Sequence, residues 1–217
     1  AILSQVAMRA FVRPEDIPMR TIRTVQDVDF DYARQLGCTI RQISFAETNG
    51  KKLVAGVEPA LVALGSPFGG VQSNLNLVAV YGQYGGRMVF SGAGAGGNPT
   101  AVAVVSDLLA IRRGHFPAPQ HTLRPAEVTN EMESRWYLRF FVKDRPGIVA
   151  GIAGKLGSNK VNIDVVLQSP GHSKQRLPFV ITTEKCPTAN IRAAVKEISK
   201  FRYLVEPPLT MPIMDEL

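Results

Sequence analysis

Four glycines crowd the start of "SGAGAGGNPTAVAVVSDLLAIRRG" (Ser91 to Gly114), directly in front of an apolar run. Gly92, Gly94 and Gly97 fit the G-x-G-x-x-G spacing, in which backbone without Cβ atoms lets a pyrophosphate approach a helix N-terminus. A strand at Arg87 to Ser91 precedes the glycines. A helix should follow, with Asn98 as cap, Pro99 at N1, and Arg112, Arg113 and Gly114 at its end. A full dinucleotide fingerprint also needs a second parallel strand carrying an acid about 20 residues further on. Here that distance lands in "HFPAPQH", which has neither strand pattern nor acid. What remains is a glycine turn that either presents N–H groups to an anion or polar ligand, or simply lets the helix pack closely on its sheet.

A second cluster is "KDRPG", Lys143 to Gly147, where a strand hands over to a helix. The Asp144 carboxylate can pair with an ammonium group. The N–H groups of Gly147 and Ile148 lie in the first helical turn, where a carboxylate is favoured. Asn162, with Ile163 at the opening of the next strand, can both donate and accept hydrogen bonds. Together these groups suit a free amino acid held by both ends. On the residues alone, ordinary Asp-Pro-Gly turn chemistry explains the motif more simply.

The other reactive side chains are quieter. Lys51 and Lys52 sit beside a hairpin turn, and Arg145 and His172 read as exposed loop residues. His115 and His121 share a proline-rich segment with no cysteine or third histidine near, so no metal site is expected. Cys38 and Cys186 form no C-x-x-C and read as small buried hydrophobes of a reduced, cytoplasmic protein. Net charge is +7, and after residue 135 there are 12 Lys/Arg against 7 Asp/Glu. That excess is scattered and lacks the clustered basic face of a nucleic-acid binder. No apolar run is long enough for a membrane span.

The elements that must position these groups fall on either side of a break. "GHFPAPQHTLRPAEVTNEMESR" is rich in proline and weakly periodic, so residues 115–135 read as a linker between a first domain, 1–114, and a second, 136–217. In the first, residues 1 to about 12 read as a helix and "VRPEDIPMRTI" as a loop. "DVDFDYARQLG" is a short helix with Asp27 as N-cap, Asp29 and Asp31 in the first turn and Gly37 as C′. "CTIRQISFAET" and "KKLVAGVEPALVAL" flank Asn49-Gly50 as a hairpin, and "NLNLVAVYG" and "RMVFSG" follow as strands. The second domain reads strand, helix, strand, strand, helix, strand, with "RYLVE" as the last strand: the ferredoxin-like βαββαβ order. The expected class is therefore α+β, mostly antiparallel sheet with helices, followed by a ferredoxin-like domain.

These segments carry a family resemblance. "DFDYARQLGCTIRQISFAE", "VEPALVALGSPFGGVQSNLNLVAVYG", "RMVF" and "SGAGAGGNPTAVAVVSDLLAI" resemble the C-terminal half of the catalytic region of homoserine dehydrogenase. "RWYLRFFVKDRPGIVAGIAGKLGSNKVNIDVVLQ" resembles the ACT domain appended to many bacterial members. The resemblance implies an NAD(P)-linked oxidoreductase that interconverts L-homoserine and L-aspartate 4-semialdehyde, in a homo-oligomer of two or four copies. It also implies that the glycine loop touches the NADP or NAD coenzyme through Gly96, with Gly94 and Thr100 as weaker contacts. For Asp144, Gly147, Ile148, Asn162 and Ile163 it implies an amino-acid effector, with threonine the leading candidate.

In that family a Rossmann domain, acidic substrate residues and a catalytic lysine precede a helix like "AILSQVAMRAF". The expectation is thus that Ala1 opens mid-helix, that no catalytic residue lies in this chain, and that the chain alone is inactive. The competing reading is a stand-alone ACT-type regulator whose first half is only an oligomerisation platform.

Overall fold

The computed structural model describes residues 1–48, 52–115 and 122–214. The expected Asn49-Gly50 turn, Lys51 and His121 lie outside the described residues. In chain order the helices are α1 (Ile2–Met8), α2 (Asp27–Gln35), α3 (Gly97–Arg112), α4 (Ile148–Ser158) and α5 (Thr188–Ile198). The strands are β1 (Ala10–Phe11), β2 (Cys38–Thr48), β3 (Lys52–Ala63), β4 (Leu75–Gly82), β5 (Gly86–Ala93), β6 (Arg124–Pro125), β7 (Glu127–Thr129), β8 (Glu133–Val142), β9 (Ile163–Leu167), β10 (Leu177–Thr183), β11 (Cys186–Pro187) and β12 (Leu209–Met214). The class is α+β with mostly antiparallel pairing, as expected.

One sheet dominates, in the order β2-β3-β12-β8-β10-β9. Within it β12-β8-β10-β9 is the ferredoxin-like order, antiparallel throughout. The fourth strand of that unit is not "RYLVE", which contributes only an isolated bridge between Val142 and Leu204. Tyr203 and Leu204 turn inward onto the core under α4 and α5 instead. The strand that closes the unit is β12, antiparallel to β8 and parallel to β3 through Ile213↔Leu61 and Met214↔Val62. This strand joins the two halves of the chain into a continuous sheet. The segment between them is more structured than its proline content suggests, since β6 pairs with β1 and β7 with β3.

Period-two alternation gives the sheet two different faces. Leu138, Phe140 and Val142 of β8 and Leu177, Phe179 and Ile181 of β10 join Ile152, Leu156, Ile191 and Ile198 of the helices in one core. Phe140 stacks on Phe179 with ring centroids 5.1 Å apart. The intervening Tyr137 and Val180 point the other way, into a second core with Tyr32 and Ala33 of α2 and Leu209, Met211 and Ile213 of β12. Helix α2, from the first half of the chain, therefore covers the ferredoxin-like sheet. It is capped by Gln26, one residue earlier than expected, whose N–H donates to Asp29 at 2.8 Å. Gly37 follows at φ +69, the left-handed geometry expected of C′.

Two differences from the expected elements have local causes. Helix α1 stops at Met8 because Arg9 turns left-handed, and Ala10 and Val12 then enter a small core with Leu53 and Ala55. Helix α3 starts at Gly97, capped by Gly96, so Asn98 and Pro99 lie inside its first turn. Proline is tolerated there because the first N–H groups of a helix have no intrahelical partner. Strands β4 and β5 pair with each other in a separate two-stranded ribbon.

That ribbon and α3 bury no residue. Val102, Leu108, Ile111, Phe90 and Met88 are all exposed. The accessible surface is 13626 Å², against about 9,800 Å² expected from the mass of a compact monomer. The chain therefore exposes more surface than a compact monomer of its mass does, and the apolar side chains of β4, β5 and α3 contribute to it.

Candidate functional site

The glycine loop lies between β5 and α3. The Gly94 N–H donates to the Asn74 carbonyl at 2.7 Å, and Asn74 Nδ2 donates to the Ala95 carbonyl at 2.7 Å, pinning the turn to the start of β4. A Cβ at Gly94 would lie 2.0 Å from Asn76 Nδ2. Gly96 has φ +118 and ψ 155, a conformation essentially restricted to glycine. Thr100 Oγ1 donates to the Gly96 carbonyl at 2.8 Å. Gly94 and Gly96 lie on the turn and Thr100 in the first turn of α3, all three exposed. The missing side chain at Gly94 makes room for the Asn76 amide, and that at Gly96 permits the positive φ of the turn. Among the described residues β5 pairs only with β4, antiparallel, so they form no parallel unit of a complete dinucleotide fold around this loop.

The second candidate site is a cavity of about 250 Å³ at the turn from β8 into α4. Asp144, Gly147 and Ile148 line it. Gly147 is the N-cap of α4 at φ +86, which presents the first-turn N–H groups to the cavity mouth. The Asp144 N–H donates to the Lys174 carbonyl at 2.7 Å, fixing the turn against the loop that follows β9. The floor is apolar, formed by Val142, Leu177 and Phe179. Arg145 is exposed, as expected, and also lines the cavity, with its guanidinium 4.7 Å over the Tyr203 ring. Gln168 is a further lining residue without a sequence signal, because it arrives from the far end of β9.

Asn162 and Ile163 are not in this cavity. Asn162 Nδ2 donates to Glu184 at 3.2 Å, and Ile163 pairs with Thr183 at the opposite end of β9. The five expected effector residues therefore form two groups within one chain. Five residue steps of extended strand, roughly 16 Å, separate Ile163 from Gln168.

No group of three His, Cys, Asp or Glu among the described residues could hold a metal ion. No described helix is long and apolar enough to cross a membrane. Both cysteines are buried, and burial raises the Cys186 thiol above its ordinary value.

Comparison with known proteins decides the family. Residues 1–109 match the family model for homoserine dehydrogenase, and residues 136–202 match that for the ACT domain. This chain belongs to the homoserine dehydrogenase family. The homoserine dehydrogenase of Bacillus subtilis is 29% identical over 95% of this chain and 49% of its own length. That of Mycobacterium leprae is 34% identical over 77% of this chain and 41% of its own. A solved homoserine dehydrogenase from Thiobacillus denitrificans superposes with a TM-score of 0.82 at 26% identity, covering 99% of this chain and 51% of that one. The chain spans about half the length of the curated relatives it matches. The family model accounts for the first half directly, which a stand-alone regulator leaves unexplained.

Proposed function

We propose that this chain is the C-terminal portion of a homoserine dehydrogenase, acting in the NAD(P)-dependent interconversion of L-homoserine and L-aspartate 4-semialdehyde on the route to threonine, isoleucine and methionine in the cytoplasm. Residues 1–114 form part of the catalytic and dimerisation region, and residues 136–217 form the amino-acid-sensing domain. The observation that carries this reading is the succession of the two family matches along one fold with the same architecture as a solved relative.

A nicotinamide dinucleotide, when bound, would supply the hydride. This chain would contribute Gly94 and Gly96 of the turn and Thr100 of the first turn of α3 as one wall against that coenzyme, helping to exclude water. The other wall and the catalytic lysine belong to the other half of the enzyme. Nicotinamide-nucleotide titration of these 217 residues alone should therefore show negligible binding. Micromolar affinity would overturn that division of labour.

The effector reading rests on Asp144 opposite the first-turn N–H groups of α4, an arrangement that holds an amino acid by its ammonium and carboxylate ends. Threonine, the end product, is the leading ligand, with Asn162 and Ile163 reaching the cavity from a second copy. A side chain at Gly147 faces a strained positive φ as well as the cavity mouth. Gly147→Val should abolish threonine-induced stabilisation, which for the unaltered chain reaches about 2.7 kcal/mol at a hundredfold excess over Kd. A wild-type melting temperature indifferent to millimolar threonine would overturn the sensor role.

The exposed apolar surface of β4, β5 and α3 supports a homo-oligomer built partly on this region. Light scattering should report a dimer or tetramer. A strictly monomeric chain would count against that assembly.

A further inference from the structure

The effector cavity and helix α2 occupy opposite faces of the same two strand ends. In the β8–β10 register Leu177 lies opposite Val142 and Pro178 opposite Phe141. Val142 and Leu177 floor the cavity, whereas their chain neighbours Phe141 and Arg176 face α2. The loop between β9 and β10 is shared as well. It lines the effector cavity with Gln168 and holds Asp144 through the Lys174 carbonyl. Its residues His172 and Arg176 line a second cavity of about 470 Å³ beside Gln26 and Asp27, at the start of α2.

Polar contacts continue from that loop into α2. The Arg176 guanidinium lies 3.7 Å from the Phe141 ring centroid and donates to Glu206 at 2.6 Å and to Gln26 at 3.3 Å. Glu206 also accepts from Arg139 at 2.8 Å and from Gln26 Nε2 at 3.1 Å. Arg139 in turn lies 3.0 Å from the Asp29 carboxylate, which accepts from the Tyr137 hydroxyl at 2.7 Å. The side chains of Asp29 and Arg139 are 0% and 3% exposed. Burial raises the Asp29 carboxyl above its ordinary value, against the opposing effects of the Gln26 N–H, Arg139 and Tyr137. A buried ion pair held against such a cost is weak evidence for stability and is better suited to fixing one arrangement. The second cavity lies between the Arg176 loop and the α2 cap, which line it together.

We propose that α2 reads the occupancy of the effector cavity, with the 168–176 loop and the Arg176–Glu206–Arg139–Asp29 contacts as the coupling element between the sensing domain and the catalytic region. A ligand on Asp144 draws on the Lys174 backbone, and the shift reaches Gln26 through Arg176. Coupling needs two arrangements whose balance both sites bias. The proposal rests on the amino-acid-sensing reading above.

The test combines L-threonine calorimetry with amide hydrogen exchange of residues 27–36 in the whole chain. Threonine should bind, and its saturation should slow α2 exchange by roughly 5-fold or more, within the usual range of allosteric coupling. In Arg176→Gln, a change at a half-exposed side chain, threonine should still bind within about threefold while the α2 response falls to that of the control without ligand. Glu206→Gln should act in the same direction and serves as the second cut if the first variant misfolds. A merely structural Arg176 would loosen α2 with and without ligand and leave the threonine-dependent change intact, which overturns the coupling. Binding with no α2 response in the unaltered chain overturns it too, while leaving the sensor reading standing. Absence of any threonine binding overturns both.

Discussion

Asp29→Ala should destabilise the fold by about 3–5 kcal/mol, the usual result of breaking a buried ion pair by removing one partner. Arg139 would stay buried with only Glu206 as counter-charge, and the Tyr137 hydroxyl would lose its acceptor. The effect is local to that position on the helix. Asp31, two residues on, faces solvent and pairs with Arg34 at 2.6 Å. Asp31→Ala should stay within about 0.5 kcal/mol of the unaltered chain. Urea unfolding should separate the two variants by midpoint with similar slopes. Coincident midpoints would mean that the Asp29 contacts do not hold α2 against the sheet.

Cutting the chain after Pro208 should be more damaging still. Strand β12 buries Leu209, Met211 and Ile213 at 8%, 0% and 5% exposure. Each such side chain is worth about 1.5–3 kcal/mol on burial, so the three together give roughly 5–9 kcal/mol. That is comparable with the whole net stability of a typical domain. The cut also removes the Thr210 carbonyl and hydroxyl that accept from Arg20 at 2.8 and 2.9 Å, and so releases the Arg20–Glu58 pair from the ferredoxin-like unit. Calorimetry should show the single cooperative transition replaced by separate, weaker ones. A melting temperature within about 2 °C of the full chain would show that β12 is not the strand that joins the halves.

Some elements were legible because their signals are local. Strand β2 runs from Cys38 to Thr48, the limits of its alternating run, and β3, β4 and β5 agree to within a residue or two. Ile191, Val195 and Ile198, spaced along one face of α5, pack into the core it shares with β8, β10 and α4. Strand β12 was hidden by Pro208 and Pro212, since proline argues against a central strand. Its pairing with β3 involves only Ile213 and Met214, past the second proline, so that argument does not apply there. "RYLVE" had the better strand pattern, but the apolar surface under α4 and α5 claimed Tyr203 and Leu204.

The sites divide in the same way. Gly94 and Gly96 fall on one turn, with Thr100 in the first turn of α3, because they are nearly adjacent in sequence, and Asp144, Gly147 and Ile148 fall together for the same reason. Asn162 and Ile163 miss the cavity because the strand they open carries the chain along its length before it returns.

By itself the sequence determined the family resemblance, the α+β class, the order of most elements and the two short motifs. These depend on spacing within a dozen residues, where periodicity and turn chemistry act directly. Only the tertiary structure decided that α2 covers the ferredoxin-like sheet, that β12 joins the halves, and that Asp29 is a buried partner rather than a solvated first-turn charge. Asp29 and Tyr137 are 108 positions apart. Hydrophobic periodicity states which face of an element must be covered but not by what, and a carboxylate's partner is set by the packing that brings distant strands together.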